Sequence, residues 1–202
     1  IDFLARGGDL DTDAVRRAAD QLLDPEISTE LKGAFLTALH SKGETPAEIA
    51  GFVNAFLDHA VRPVIHNRQA GRPLLDVCGT GGDKAGFFNV STAVMFVCAA
   101  AGARVVKHGN RGISSKSGGA DVLDALGVPV ELDRESAGDF LERCGFVFLF
   151  APKYHPAFAA VAPVRKELAA RGRLTVFNIL GPLLNPALPD YQLAGVFQPH
   201  LP

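Results

Sequence analysis

The stretch 74–117, LLDVCGTGGDKAGFFNVSTAVMFVCAAAGARVVKHGNRGISSKS, reads as strand, glycine turn, helix, strand and polar loop. Leu74 to Cys78 is short and mostly apolar, as a strand buried in a sheet should be, and it runs straight into Gly79-Thr80-Gly81-Gly82-Asp83. Gly79, Gly81 and Gly82 allow positive φ and let backbone approach a ligand closely. Successive N–H groups in such a turn form an anion-receptive concavity, and a helix opening at Asn89-Val90-Ser91-Thr92 adds free N–H groups at a positive dipole end. A second apolar run, Ala103 to Val106, delivers Lys107-His108-Gly109-Asn110-Arg111 and the hydroxyl-rich Ser114-Ser115-Lys116-Ser117. Two polar, glycine-bearing loops are therefore expected at one carboxyl edge of a sheet, where open α/β sheets bind ligands.

The ligand these loops imply is multiply phosphorylated, with a ribose-like polyol suited to Asp83, Asn89 and the serine hydroxyls. The spacing is neither GxxxxGK[ST] nor GxGxxG, so an ordinary P-loop or dinucleotide fold is not indicated.

Working outward, residues 73–202 alternate strand-like and helix-like segments, which predicts an α/β domain with a mostly parallel sheet. The expected elements are helix 120–126, a strand-like piece from Pro129 to Leu132, helix 134–143 ended by Gly145, strand 146–150, helix 158–170, a turn-rich loop around Gly181-Pro182 and Asn185-Pro186, and a strand from Leu193 to Phe197. Residues 1–65 read as three amphipathic helices: one from Asp13 to Leu23, one from Thr29 to His40, and one opened by the capping box Thr45-Pro46-Ala47-Glu48. Residues 66–72 are the expected linker. So small a bundle has to bury a face elsewhere, against the α/β part or a second subunit.

With 202 residues and 48% hydrophobic content, the chain can bury a core without staples. Its net charge of −2 gives no bulk attraction for nucleic acid or an anionic membrane, so phosphate binding has to be local. Cys78, Cys98 and Cys144 sit in apolar runs without a CxxC, which points to buried thiols in a reducing compartment, the cytoplasm by default. The start at Ile1 and the stop at Pro202, just past a strand-like run, lead to the expectation of a piece of a longer protein.

GTGGD, FNVST, KHGNR, SSKSG, ADVLDALGV, FLFAP, APVRKEL and VFNILGPLLNP, with ARGGDL and KGETPAEIAGF nearer the start, resemble in order and spacing the anthranilate phosphoribosyltransferases of tryptophan biosynthesis. The resemblance implies a nucleoside phosphorylase/phosphoribosyltransferase-like α/β fold with a small helical domain used for homodimerisation. It also implies a Mg²⁺-dependent glycosyltransferase that joins anthranilate to 5-phosphoribosyl 1-diphosphate and releases pyrophosphate. Gly79, Gly82, Asp83, Asn89, Val90, Ser91, Thr92, Lys107, His108, Gly109, Asn110, Arg111, Gly112, Ile113, Ser114 and Ser115 match phosphoribosyl-diphosphate positions of that family. Gly79, His108, Asn110 and Arg165 match its anthranilate site, Ser91 matches a magnesium ligand, and Lys107 is expected to stabilise the departing diphosphate. No general base stands out.

The chain departs from the family at Lys84, Phe87, Gly112 and Gly119, where glycine, a hydroxyl residue, serine and serine are usual. The family's magnesium-holding acidic pair would lie beyond Pro202, so weak binding and poor turnover are expected of the chain. Two alternatives remain open at this point: a pyrimidine-nucleoside phosphorylase, which also works at a ribose C1, and a non-catalytic relative that binds nucleic acid.

Overall fold

The computed structural model describes residues 1–68, 71–79, 88–112 and 118–196. In chain order the elements are α1 (Asp2–Ala5), α2 (Thr12–Leu23), α3 (Thr29–Lys42), α4 (Pro46–Asp58), β1 (Leu74–Gly79), α5 (Val90–Ala100), β2 (Arg104–Gly109), α6 (Gly119–Ala125), α7 (Arg134–Cys144), β3 (Phe146–Phe150), α8 (Ala151–Tyr154), a 3₁₀ turn (Pro156–Ala160), α9 (Ala162–Ala170), α10 (Phe177–Leu180), a second 3₁₀ turn (Gly181–Leu183) and β4 (Tyr191–Gly195). They pack as two units, one of Ile1–Ala60 with His155–Leu184, the other of Val61–Tyr154 with Asn185–Pro202.

In the first unit α2, α3 and α4 start where side chains can satisfy their free N–H groups. Asp11 caps α2 by accepting from Ala14 N at 2.8 Å, Ser28 caps α3, and Thr45 with Glu48 forms the predicted capping box of α4. Val15, Ala19, Leu22, Leu36, Leu39, Phe52 and Phe56 then face Val161, Val164, Phe177 and Leu180 in one apolar core. Lys32, 3% exposed, donates to Asp24 O and Ala160 O, tying the end of α2 to the turn before α9. The sequence-based boundary therefore differs from the packing. Residues 155–184, expected within the α/β domain, supply the apolar partner that the three short helices needed.

The second unit is built on a four-stranded parallel sheet of order β3-β2-β1-β4. Val77, Val105, Phe148 and Met95 fill one face of it; Leu74, Val106, Val147, Leu149 and Tyr154 fill the other. Gly145 ends α7 at φ 75°, a conformation natural to glycine, and so turns the chain into β3. The strand-like piece 129–132 does not join a sheet: Pro129 has no N–H to donate, and Val130, 4% exposed, is buried without a ladder. Helix 158–170 begins later than expected, at Ala162, because Pro156–Ala160 forms a separate 3₁₀ turn.

Candidate functional site

Because β1 and β2 are adjacent and parallel, Gly79 and Gly109 end them at the same edge of the sheet. The two loops singled out by the sequence leave the sheet there. Gly82, Asp83, Ile113, Ser114 and Ser115, together with Lys84 and Phe87, lie outside the described residues.

Asn89 caps α5. Its Oδ1 accepts from Thr92 N at 3.1 Å and from the Thr92 hydroxyl at 2.6 Å, which leaves Thr92 1% exposed beneath the first turn. Val90 is half exposed, and the Ser91 hydroxyl accepts from Lys107 Nζ at 2.9 Å. Lys107 itself is 4% exposed, and its ammonium also donates to Val77 O at 2.8 Å. Burial pushes the Lys107 pKa down, with Asp76 on β1 opposing that shift. Burial likewise raises the Asp76 carboxyl, against a hydrogen bond from Gln192 on β4. Burial also lifts the Cys78 thiol to about 11, so it is not a nucleophile near neutral pH. The edge thus has the Lys107 side chain fixed under the start of an eleven-residue helix, whose positive dipole end favours an anion.

His108 is half-buried and in register with Leu149 of β3, and Gly79 is in register with Gly195 of β4. Asn110 is exposed, and its Oδ1 accepts from Arg111 N at 2.8 Å. The Arg111 guanidinium is taken up by Asp121 and Asp124 and lies over Phe150, 5.5 Å from the ring centroid. Asp121 also accepts from Gly112 N. Sequence reading missed this carboxylate, although an aspartate three residues beyond Gly118 carried the signal of a helix-start acceptor.

Arg165 belongs to the first unit, on α9, whereas Gly79, His108 and Asn110 belong to the second. Its guanidinium lies 4.6 Å from the Phe177 centroid, and burial lowers its pKa. Phe177 in turn stacks on Phe56 at 5.4 Å. Such a desolvated, planar cation over an aromatic ring suits a flat carboxylate. Two clefts of about 420 and 540 Å³ open in the first unit, and none of the sequence-predicted residues lines them.

Magnesium usually takes one or two carboxylates together with waters and substrate phosphate oxygens. Among the described residues no cluster of three His, Cys, Asp or Glu side chains could hold a metal, and Ser91 Oγ already accepts from an ammonium. The described residues do not by themselves make a magnesium site. Nor, among them, is any helix long and apolar enough to cross a membrane.

Residues 1–60 match the family model "Glycosyl transferase family, helical bundle domain", and residues 71–202 match "Glycosyl transferase family, a/b domain". Among curated relatives, an anthranilate phosphoribosyltransferase of Roseiflexus sp. is 49% identical over 198 residues, which cover 98% of this chain and 56% of the relative. One from Chlorobium phaeovibrioides is 45% identical over 201 residues, covering 55% of its length. The chain thus spans about half the length of the curated relatives it matches. Among solved structures, anthranilate phosphoribosyltransferase from Thermus thermophilus superposes with a TM-score of 0.86 at 45% identity, covering 98% of this chain and 58% of that one. The Saccharomyces cerevisiae enzyme in complex with PRPP and Mg gives 0.78 at 29% identity, covering 93% of this chain and 53% of that one. Matched along both of its parts, the chain belongs to this glycosyl transferase family and, within it, resembles the anthranilate phosphoribosyltransferases.

Proposed function

We propose that the chain carries the phosphoribosyl-diphosphate-binding part of an anthranilate phosphoribosyltransferase, in which the phosphoribosyl group of 5-phosphoribosyl 1-diphosphate passes to anthranilate. The observation that carries this reading is the parallel β1–β2 edge. There the Asn89-capped start of α5 and the buried Lys107 ammonium meet at Ser91.

In the displacement the C1–O bond to the diphosphate breaks, a C1–N bond to the arylamine forms, and the amine loses a proton. Positive charge develops on the sugar and negative charge on the leaving group. The first turn of α5 (Asn89 to Thr92) and the segment from Lys107 at the end of β2 to Gly112 stabilise the leaving charge. Lys107 acts largely through Ser91, whose hydroxyl its ammonium orients. Arg165 takes the anthranilate carboxylate with two parallel N–H bonds, as its desolvated guanidinium favours. An arylamine attacking a cation-like C1 needs no strong base, and none is assigned.

Bound Mg²⁺ would neutralise diphosphate charge. Among the described residues no cluster of three His, Cys, Asp or Glu side chains could hold that ion, and the 202-residue chain is proposed to bind the diphosphate and turn over poorly. Homodimerisation through the N-terminal helices and a cytoplasmic location are part of the same proposal, supported by the family resemblance.

The test follows the loss of anthranilate fluorescence on adding 5-phosphoribosyl 1-diphosphate and Mg²⁺, for this chain and for a longer protein carrying the expected acidic pair. Fast loss in the longer protein and slow loss in the chain support the proposal. Silence in both folded proteins sinks it.

A further inference from the structure

Gly112 and Gly118, which follow β2 in the chain, both donate to one carboxylate. Asp121 Oδ2 accepts from Gly112 N at 2.9 Å and from Gly118 N at 2.7 Å, while Oδ1 accepts from Arg111 Nη1 at 3.3 Å. Asp124 takes the same Nη1 at 2.5 Å, and Glu131 stands 3.7 Å from Nη2. The backbone of 110–112 lies directly on the start of α6. A Cβ on Gly118 would stand 2.4 Å from Gly112 N, 2.5 Å from Arg111 C and 2.7 Å from Asn110 O. Ala120 N adds a long bond, 3.4 Å, to Asn110 O.

We propose that Asp121 is a positioning residue for the phosphoribosyl-diphosphate site, clasping Gly112 and Gly118 so that the Asn110–Gly112 turn is fixed before ligand arrives. This rests on the proposed function above.

Three features single out a carboxylate for this task. It is acceptor-only, with lone pairs enough for three donors at once. Bonds to an ionised acceptor are stronger than neutral ones. The Gly112 and Gly118 N–H groups, with Arg111, also hold the Asp121 pKa below the usual carboxylate range, so it stays ionised at neutral pH. A negative charge near a diphosphate would ordinarily repel it. Here the charge is spent on inward donors and balanced by Arg111, which acts as a strut behind the turn. Gly118 supplies no side chain of its own to cap α6, so Asp121 provides the reach-back half of a capping box alone.

The test uses the full 202-residue chain with Asp121→Asn, which keeps shape and removes charge, and Asp121→Glu, which keeps charge. Affinity for 5-phosphoribosyl 1-diphosphate with Mg²⁺ is read by calorimetry, amide exchange at Gly112 and Gly118 by NMR, and folding by circular dichroism. Asp121→Asn is expected to lower the affinity per folded molecule about tenfold or more, as loss of a supporting contact behind a ligand site does, and to speed exchange at both glycines. Asp121→Glu is expected to recover much of both. A merely structural role would lower the unfolding midpoint while leaving affinity unchanged, and that result overturns the proposal. If the unmodified chain does not bind the diphosphate, the proposed function falls. Equal exchange at both glycines in Asp121→Asn and the unmodified chain removes the clasp whether or not the diphosphate binds.

Discussion

Replacing Glu48 by glutamine tests how the helical unit is held together. Glu48 is 0% exposed, and its carboxylate accepts from three donors: Leu10 N at 2.9 Å, Thr45 N at 2.8 Å and Lys42 Nζ at 2.8 Å. Lys42, whose side chain is 4% exposed, also reaches Asp9 at 2.7 Å. Hydrogen bonds to a charged group contribute about 1.5–3 kcal/mol each, and breaking a buried pair costs about 3–5 kcal/mol because the remaining charge is stranded. A carboxamide oxygen can still accept one or two of the donors, and Lys42 keeps Asp9. Glu48→Gln should therefore cost about 2–3 kcal/mol, and Glu48→Ala about 3–5 kcal/mol.

The pH dependence has a definite sign. Burial works to raise the Glu48 pKa, but the bonds from Leu10, Lys42 and Thr45 outweigh it and hold the folded value below the usual carboxylate range. The carboxylate's contribution is thus complete above the unfolded pKa and is lost as pH falls through the lower folded value. Lys42 behaves in the opposite sense. Burial works to lower its pKa, but Asp9 and Glu48 more than compensate, so the folded value lies above the ordinary lysine value. Its contribution is present below the unfolded pKa and lost as pH rises through the folded one. Urea unfolding followed by circular dichroism, with amide exchange at Leu10 and Thr45 to localise the effect, measures both limbs. A loss under about 0.5 kcal/mol, or one abolished by about 1 M salt, would refute the buried-carboxylate argument, since buried pairs are little screened.

Two further outcomes concern the site. Gly118→Ala forces a Cβ to within 2.4 Å of Gly112 N, so overpacking should cost about 1–3 kcal/mol and weaken diphosphate binding by displacing the Asn110–Gly112 turn, read by urea unfolding and calorimetry. Arg165→Lys keeps the charge but loses the planar fork over Phe177, so anthranilate affinity should fall about tenfold in fluorescence titration while diphosphate affinity holds.

Much of the β1–β2 edge was legible because its signals are local. Apolar runs ending in glycine gave β1 and β2, Asn89 before an apolar stretch gave the capped α5, and Gly145 gave the stop of α7. What escaped depends on partners distant in sequence. The stripe of Val161, Val164 and Leu168 looks like any amphipathic helix, and only the packing shows that it completes the core of the N-terminal helices. Lys107 reads as the first loop residue after the apolar run Ala103 to Val106, yet β2 runs on to Gly109 and buries it beside Ser91. The apolar character of Pro129 to Leu132 reports burial alone, which a coil segment satisfies as well as a strand.

The central claim is that the β1–β2 edge binds a ribose-linked diphosphate. Calorimetric titration of the folded chain with 5-phosphoribosyl 1-diphosphate and Mg²⁺ tests it directly, with inorganic pyrophosphate as competitor and the Lys107→Met chain alongside. Saturable binding that pyrophosphate displaces and Lys107→Met weakens is the predicted result. No saturable heat from a folded chain, or binding that neither pyrophosphate nor the substitution alters, would contradict it.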